Sequence, residues 1–236
     1  MTTLEIIYQD DYLVAINKPG GLLVHRSMID RHETQFALQI LRDQIGRRVY
    51  PVHRLDKPTS GVLIFALNAD IARLISIQFA EQKINKTYQL VVRGYCPQEG
   101  RIDHPLKEQF DKITDKLSRK DKPAQSAVTS YKRLATVELP FAVDRYPQSR
   151  YSLVEAYPET GRKHQIRRHF KHIAHPIIGD AKHGKGNHNR FFQQQFNCHR
   201  LLLACTRIEL QHPTNKKILQ LNADLDDSFR DIVKLF

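Results

Sequence analysis

Apolar residues occur in short blocks along the chain, and their spacing predicts a mixture of strands and helices. Residues 62–67, with the sequence VLIFAL, form an unbroken apolar run typical of a buried strand. Two strands joined by a polar turn are predicted at the start of the chain, over residues 4–8 and 12–18. Later blocks predict strands over residues 88–92, 127–134, 151–157 and 201–210.

Other segments have apolar residues at helical spacing. Residues 34–45 predict a helix that stops at Gly46, and Asn68 is placed to cap a helix running to about Glu81. Residues 227–235 predict a last amphipathic helix. Strands and helices do not alternate regularly as βαβ units, so the pattern favours an α+β fold over a doubly wound α/β fold.

Composition and length limit the class of protein. With 236 residues, of which 41% are hydrophobic and 26% charged, the chain fits one large globular domain or two closely packed lobes. Its apolar runs fall short of the roughly 20 residues that span a bilayer, and its first residues do not resemble a signal peptide. We therefore expect a soluble, cytoplasmic protein. The highly charged residues 107–122 predict an exposed excursion containing a partly ordered helix.

Charge narrows the choice of partner. The net charge of +12 predicts binding to a polyanion. Because no basic amphipathic helix with a bare apolar face is evident, nucleic acid is favoured over an anionic membrane. The three cysteines are an odd number without a C-x-x-C pair, which argues against both a disulfide framework and a thiolate metal site.

The most informative motif is HRLDKPTSG at residues 53–61, which places Asp56 between Arg54 and Lys57. A carboxylate beside two cations is expected to be ionised at neutral pH, and at a turn it can act as a nucleophile or base. The alternative is an ordinary Asp-Lys-Pro turn in which the Asp56 side chain caps backbone donors. The strand that follows directly favours function, because it anchors the loop on a rigid element.

A second basic segment, TGRKHQIRRH, covers residues 160–169. A Thr-Gly turn followed by a helix would present donors to phosphates and base edges. A generic basic run would more often be a solvated helix face, but the interleaving of Arg, His and Gln in so basic a chain favours the functional interpretation. His169, His172 and His175 recur at intervals of three and raise the possibility of a metal site. Carboxylate and thiolate ligands are missing at matching spacing and neighbouring arginines would repel a cation, so we expect no metal.

Together these motifs resemble the RluA-type pseudouridine synthases over essentially the whole chain. HRLDKPTSG matches the family pattern H-R-L-D-x-x-T-S-G in full. The further family elements are KPGG at 18–21, KTY at 86–88, TGRKHQIR at 160–167 and HPIIGD at 175–180. The resemblance implies a mixed, mainly antiparallel central sheet flanked by helices and loops, with the active site in a basic cleft. It also implies a single catalytic domain over residues 1–236, no preceding S4-like RNA-binding module and no cofactor.

The resemblance also implies roles for individual residues. Asp56 would be the catalytic aspartate, Tyr88 would stack on the target uracil, and Arg167 would pair with Asp56. Arg54 would help fill the space left by the flipped base. The expected RNA contacts are Arg54, Lys18, Arg162, Lys163, His164, Gln165, Arg168 and Lys171. From spacing alone, Tyr88 would be read as an ordinary core tyrosine and Arg167 as a phosphate clamp.

Finer features indicate the branch of the family that isomerises a uridine of tRNA, at position 65. They are VHRS at 24–27, the excursion over 111–122, RYP at 145–147, and GDAKHG at 179–184, where many relatives have Tyr instead of His183. Ala204 and Cys205 depart from the family's usual His-Ala. We expect a monomer that binds tRNA and neither DNA nor a membrane. A ribosomal RNA substrate and a non-catalytic RNA-binding protein remain as alternatives, and attack on the ribose or on the uracil ring stays open.

Overall fold

The computed structural model describes residues 3–26, 33–108 and 123–236. Its strands are β1 (Glu5–Gln9), β2 (Leu13–Lys18), β3 (Tyr50–Pro51), β4 (Ser60–Ala66), β5 (Asn85–Arg93), β6 (Glu99–Asp103), β7 (Val128–Leu139), β8 (Ser149–Pro158), β9 (Leu203–Gln211) and β10 (Ile218–Asn222). Its helices are α1 (Ala37–Ile45), α2 (Ala69–Ala80), α3 (Gln165–His172), α4 (Gly186–Phe196) and α5 (Asp227–Val233). Most of the predicted excursion, residues 109–122, lies outside the described residues, as does position 27 of the VHRS motif.

The predicted α+β class is confirmed, and most predicted elements are present. Asn68 caps α2 as predicted, because its side-chain oxygen accepts the backbone N–H of Ile71 at 2.9 Å. Helix α1 begins three residues later than expected, because Phe36 has an extended backbone and is buried. Sequence analysis missed α4, whose first residues are poor helix formers. Packing of Phe191 and Phe192 into a core stabilises this helix instead.

The chain divides into two compact units, each described by itself. Unit 1 comprises Met1–Asn85, Pro105–Gln125 and Arg207–Asp224. In it β2 pairs antiparallel with both β1 and β4, so that Lys18 lies opposite Gly61. Strand β4 is buried along its whole length, as the unbroken apolar run predicts. The short β3 also pairs with β4, and β10 pairs with residues 207–211 of β9.

Unit 2 comprises Lys86–His104, Ser126–Thr206 and Leu225–Phe236. Its strands run in the order β5-β8-β7-β6 with antiparallel neighbours. Alternate residues of β5 enter two separate cores, because neighbouring side chains of a strand point to opposite faces. Leu90 packs with Phe170 of α3 in one core, and Val91 packs with Phe192 of α4 and Phe229 of α5 in the other. Helices therefore cover both faces of this sheet.

Two further predictions concern the cysteines and the membrane. All three cysteines are buried, and none of them forms a disulfide. Ala204 and Cys205, at the position where the chain departs from the family pattern, are both interior residues of β9. Among the residues that the structure describes, no helix combines the length and apolarity needed to cross a membrane.

Candidate active site

The loop that carries Asp56 is attached to unit 1 at several points. The backbone N–H of Thr59 donates to the carbonyl oxygen of Asp56 at 3.0 Å, which closes a turn after the carboxylate. The backbone N–H of Gly21 donates to the carbonyl oxygen of Lys57 at 2.8 Å. Before the turn, the His53 ring accepts the N–H of Ile64 in β4 through Nε2 at 3.0 Å. These bonds fix the half-buried Asp56 on a rigid support, as a catalytic group requires.

Lys18 lies beneath this loop rather than on the surface. Its side chain is fully buried, and its ammonium donates to the carbonyl oxygens of Pro19, Leu22 and Lys57 at 2.8, 2.9 and 3.2 Å. A buried ammonium needs such acceptors to offset its lost hydration. The structure thus places Lys18 differently from the predicted RNA contact, since its donors tie the KPGG loop to the Asp56 loop.

Two cations flank Asp56 in sequence, and they face different surroundings. The Lys57 ammonium lies 2.9 Å from a carboxylate oxygen of Glu33. Arg54 is exposed, as an RNA contact should be. Burial, reinforced by the positive charge of Arg54, lowers the pKa of His25, so this histidine is neutral at physiological pH. Arg54 therefore acts electrostatically on a second loop of unit 1, the one carrying the VHRS motif.

In unit 2, Tyr88 lies on β5 opposite Ala156 of β8. Its ring is half-buried and packs against the core that contains Leu90 and Phe170. An aromatic ring anchored at one edge and exposed at another is suited to stacking on a base. The stacking role of Tyr88 stays a prediction.

The start of α3 has an unusual backbone. His164, the residue before the helix, has φ 56° in the left-handed region, which is uncommon for a side chain other than glycine. The next residue, Gln165, holds this backbone conformation in place with four side-chain hydrogen bonds. Its amide nitrogen donates to the Val128 carbonyl and to the Thr129 hydroxyl, while its oxygen accepts from the Thr160 hydroxyl and the Arg162 N–H. Gln165 is thus a buried clamp, which differs from the predicted contact with RNA.

Arg167 forms a buried, bidentate ion pair with Asp180. Its Nε and Nη2 atoms lie 2.7 and 2.9 Å from the two carboxylate oxygens, and the side chains are 6% and 0% exposed. Burial by itself would raise the pKa of Asp180, but the hydrogen bonds and positive charge of Arg167 outweigh it, and the pKa is lowered. Both groups are therefore charged at neutral pH. The predicted pairing of Arg167 with Asp56 stays a prediction.

Asp180 also organises the turn that follows it. Its Oδ1 accepts the backbone N–H groups of Lys182 and His183, both at 2.9 Å. The His183 ring then lies 3.0 Å from the His164 ring, measured between Nε2 and Nδ1. Within unit 2 the structure thus connects Arg167, Asp180, His183 and His164. The sequence motif includes Asp180 but does not show that this residue pairs with Arg167. The sequence signal for a special position was the Gly-Asp pair. In the structure, a side chain on Gly179 would collide with the Arg200 carbonyl oxygen.

The remaining basic residues of the segment 160–171 differ in how far their side chains are exposed to solvent. Arg162, Lys163 and Lys171 are exposed, and Arg168 is half-buried. Burial lowers the pKa of Arg168, although a guanidinium remains charged. These four side chains reach solvent, whereas those of Lys18 and Gln165 are buried, and the predicted RNA contacts of the four stay a prediction.

The three regularly spaced histidines do not converge on one point: His169 and His172 both contact His104, and His175 contacts Arg93. The His169 ring bonds to the Thr129 hydroxyl and the His104 carbonyl, at 2.9 and 3.1 Å. His172 stacks on His104 at 3.7 Å between ring centroids, and the His175 ring lies 2.8 Å from the Arg93 carbonyl oxygen. In residues 3–26, 33–108 and 123–236, no group of three or more potential ligands is arranged to bind a metal ion.

Comparison with known proteins identifies the family. The profile of the family described as "RNA pseudouridylate synthase" matches residues 12–172. The chain is 52% identical to the "tRNA pseudouridine synthase C" of Vibrio parahaemolyticus, over 99% of this chain and 95% of that protein. It is 53% identical to the protein of the same name from Pasteurella multocida, over 99% and 96% of the two chains.

Solved structures show the same fold. The human "RNA Pseudouridylate Synthase Domain Containing 4" superimposes with a TM-score of 0.73 at 26% identity, over 98% of this chain and 92% of that one. The human "RNA Pseudouridylate Synthase Domain Containing 1" superimposes with a TM-score of 0.72 at 21% identity, over 94% and 84%. With a matching profile over more than half of its length and relatives at about 50% identity, the chain belongs to the RluA-type RNA pseudouridine synthases.

Proposed function

We propose that this protein is an isomerase that converts a uridine of tRNA to pseudouridine. The observation that supports it best is the 52% identity, over almost the full length of both chains, to a protein named tRNA pseudouridine synthase C. The motif resemblance adds position 65 of the tRNA as the target. The net charge of +12 agrees with a polyanionic substrate.

The reaction breaks the N1–C1′ bond of uridine and joins C5 of the same uracil to C1′. We assign the nucleophilic step to the Asp56 carboxylate, which attacks either the ribose or the uracil ring. The target base must leave its stack, at a cost of a few kcal/mol, and Tyr88 then receives it by stacking. Arg167, fixed by Asp180, would orient Asp56 and keep it ionised. The proton on C5 is released to solvent when the new bond is complete.

Tritium release from C5 of labelled uridine tests this proposal. Unmodified transcripts of tRNA and of ribosomal RNA are compared, together with a tRNA that has cytidine at position 65. Release from the unaltered tRNA alone supports both the substrate and the position. Release from ribosomal RNA alone overturns the substrate, and release from neither overturns the enzymatic assignment.

Tyr88→Phe is expected to reduce turnover more than binding. The phenyl ring still stacks on the uracil, but a hydroxyl that helps remove the C5 proton late in the reaction is lost. We expect a decrease of about 100-fold in the single-turnover rate with a nearly unchanged Kd for tRNA. Tyr157→Phe, on the neighbouring strand β8, is the matched control for loss of a half-buried strand hydroxyl. Equal losses of rate and affinity would contradict a role for the Tyr88 hydroxyl.

Arg168→Ala and Lys171→Ala are expected to weaken tRNA binding through lost phosphate contacts. Each replacement should reduce the slope of log K against log salt by about 1, because one fewer counterion is displaced. Lys234→Ala is the control, since Lys234 is an exposed cation of the same unit that pairs with Asp231 on α5. Filter binding over a range of KCl concentrations measures the slope. An unchanged slope for either variant would remove that residue from the RNA surface.

We also propose that the enzyme acts as a cytoplasmic monomer and that it binds neither DNA nor membranes. Its charge suits any polyanion, so the preference for RNA comes from the resemblance of its motifs to an RNA-modifying family. Light scattering coupled to gel filtration measures the oligomeric state directly.

A further inference from the structure

Lys86 lies two residues before Tyr88 on strand β5. Side chains at positions i and i+2 of a strand point to the same face, so Lys86 shares the face of Tyr88 and Leu90. On β9, Leu203 belongs to the core on this face, and Cys205 follows it at the same spacing. Lys86 is therefore a cation at the end of an apolar face, next to the ring assigned to base stacking.

The surroundings of Lys86 lack a counterion. Its side chain is half-buried, and burial lowers the pKa of its ammonium, opposed only by the nearby Cys205 thiol. Among the described residues of unit 2, no carboxylate acts on its charge, and no hydrogen-bond acceptor is found for it. Lys86 is thus a desolvated cation to which the described part of unit 2 supplies no counter-charge.

Lys18 is another buried lysine of this protein, and its hydrogen bonds can be compared with the surroundings of Lys86. The Lys18 ammonium has three carbonyl acceptors within 3.2 Å, which replace the water that it loses. Lys86 has lost part of its hydration without such replacement. A partly dehydrated cation costs stability, and it interacts strongly with any negative charge that enters its surroundings. These properties suit a group that meets an anion only when substrate is bound.

We propose that Lys86 is a further catalytic residue that stabilises the negative charge developing on the uracil during isomerisation. The proposal rests on the proposed function, because it takes Tyr88 as the stacking partner of the base. Residues i and i+2 are separated by roughly 7 Å along a strand, a distance that an extended lysine side chain spans. The ammonium can therefore reach the edge of a ring stacked on Tyr88.

The charge arises in either route of the reaction. If Asp56 attacks C1′ of the ribose, the electrons of the broken N1–C1′ bond remain on the uracil and spread to its carbonyl oxygens. If Asp56 attacks the uracil ring, the electrons of the ring double bond move to a carbonyl oxygen. In both cases Lys86 donates a hydrogen bond to the oxyanion and keeps its proton. A cation with few competing partners is most effective at this step.

Single-turnover tritium release from an unmodified tRNA transcript tests the proposal, with Kd measured in parallel by filter binding. Lys86→Met, which removes the charge and keeps the chain length, is expected to lower the rate about 100-fold. Its Kd should stay close to that of the wild type, and Lys86→Arg should recover part of the rate. Lys83→Met is the matched control, because Lys83 is an exposed lysine paired with Glu81. Its rate should not change.

The pH profile separates a charge effect from a packing effect. The wild-type rate should fall at alkaline pH, below the ordinary titration range of lysine, because deprotonation removes the stabilising charge. In Lys86→Met this alkaline decrease should be absent. A variant that merely packs poorly would keep the profile of the wild type at a lower rate.

Three results would overturn the proposal. The first is a Lys86→Met rate equal to that of the wild type. The second is a loss confined to Kd and its salt slope, which would make Lys86 a phosphate contact. The third is a lower rate with the alkaline decrease retained. If the wild-type enzyme itself releases no tritium from any RNA, the proposed function fails, and this inference fails with it.

Discussion

Asp56→Ala is expected to abolish isomerisation and to leave tRNA binding within a few-fold of the wild type. Removing a nucleophile should lower the single-turnover rate roughly 10,000-fold or more. Binding should survive because a carboxylate contributes nothing to the attraction of phosphates. The loop should also survive, since Thr59 bonds to the main-chain carbonyl of Asp56, which alanine retains.

Asp43→Ala is a suitable control for the Asp56 variant. Asp43 is an exposed aspartate of the same unit that neighbours an arginine, as Asp56 does. Tritium release and filter binding are measured for both variants, and circular dichroism shows that both are folded. An Asp56→Ala rate within about tenfold of the wild type, a barrier change of only about 1.4 kcal/mol, would contradict the nucleophile assignment.

Asp180→Asn is expected to damage both stability and activity. The amide is nearly isosteric with the carboxylate, but it removes the negative charge of Asp180 from the buried Arg167 guanidinium. Breaking a buried ion pair at one partner costs about 3–5 kcal/mol of unfolding free energy. Activity of the folded fraction should fall as well, because Arg167 loses the group that fixes its position. Denaturant unfolding and single-turnover assays measure the two effects separately.

The control for Asp180→Asn is Asp103→Asn. Asp103 pairs with Arg101 on the surface of the same unit, where solvent screens the interaction. The unfolding midpoint of the Asp103→Asn protein should equal that of the wild type. A stable and fully active Asp180→Asn protein would show that Asp180 does not position Arg167. The Lys182 and His183 N–H groups can still bond to the asparagine oxygen, so the turn itself is not removed by this change.

The same ion pair predicts a pH dependence of stability. The pKa of Asp180 is lowered in the folded protein. Its contribution to stability is therefore complete above the ordinary aspartate pKa of about 4 and is lost as pH falls through the folded value. Asp180→Asn should lack this acidic component when unfolding is measured over a series of acidic pH values.

Local chemistry explains which parts of the fold the sequence predicts well. The helix that starts at Asn68 and the buried strand β4 were predicted because capping and apolar runs act over a few residues. Strand β6 and helix α4 were missed, since their sequences, EGRID and GNHNRFFQQQF, are polar or poor in helix formers. These two elements depend on partners that are distant in sequence.

In the candidate site, too, some residues were predicted from the sequence and others were understood only from the structure. Motif spacing singled out Asp56, Tyr88 and Arg167, but it grouped Lys18 and Gln165 with the RNA contacts because lysine and glutamine are typical of such surfaces. In the folded protein both side chains are buried and bonded to their own loops. A sequence does not reveal where backbone carbonyls converge, so it cannot distinguish a buried clamp from an exposed contact.

By itself the sequence determined the α+β class, the family and the motif residues, because residue type and short-range spacing fix catalytic chemistry and local structure. Only the tertiary structure decided that Asp180 is a buried partner of Arg167 and that Lys86, beside Tyr88, has no counterion in the described part of unit 2. Both facts depend on solvation and on contacts between segments far apart in the chain. Burial and long-range pairing arise only when the chain folds, since they are properties of the surroundings of a residue rather than of its identity.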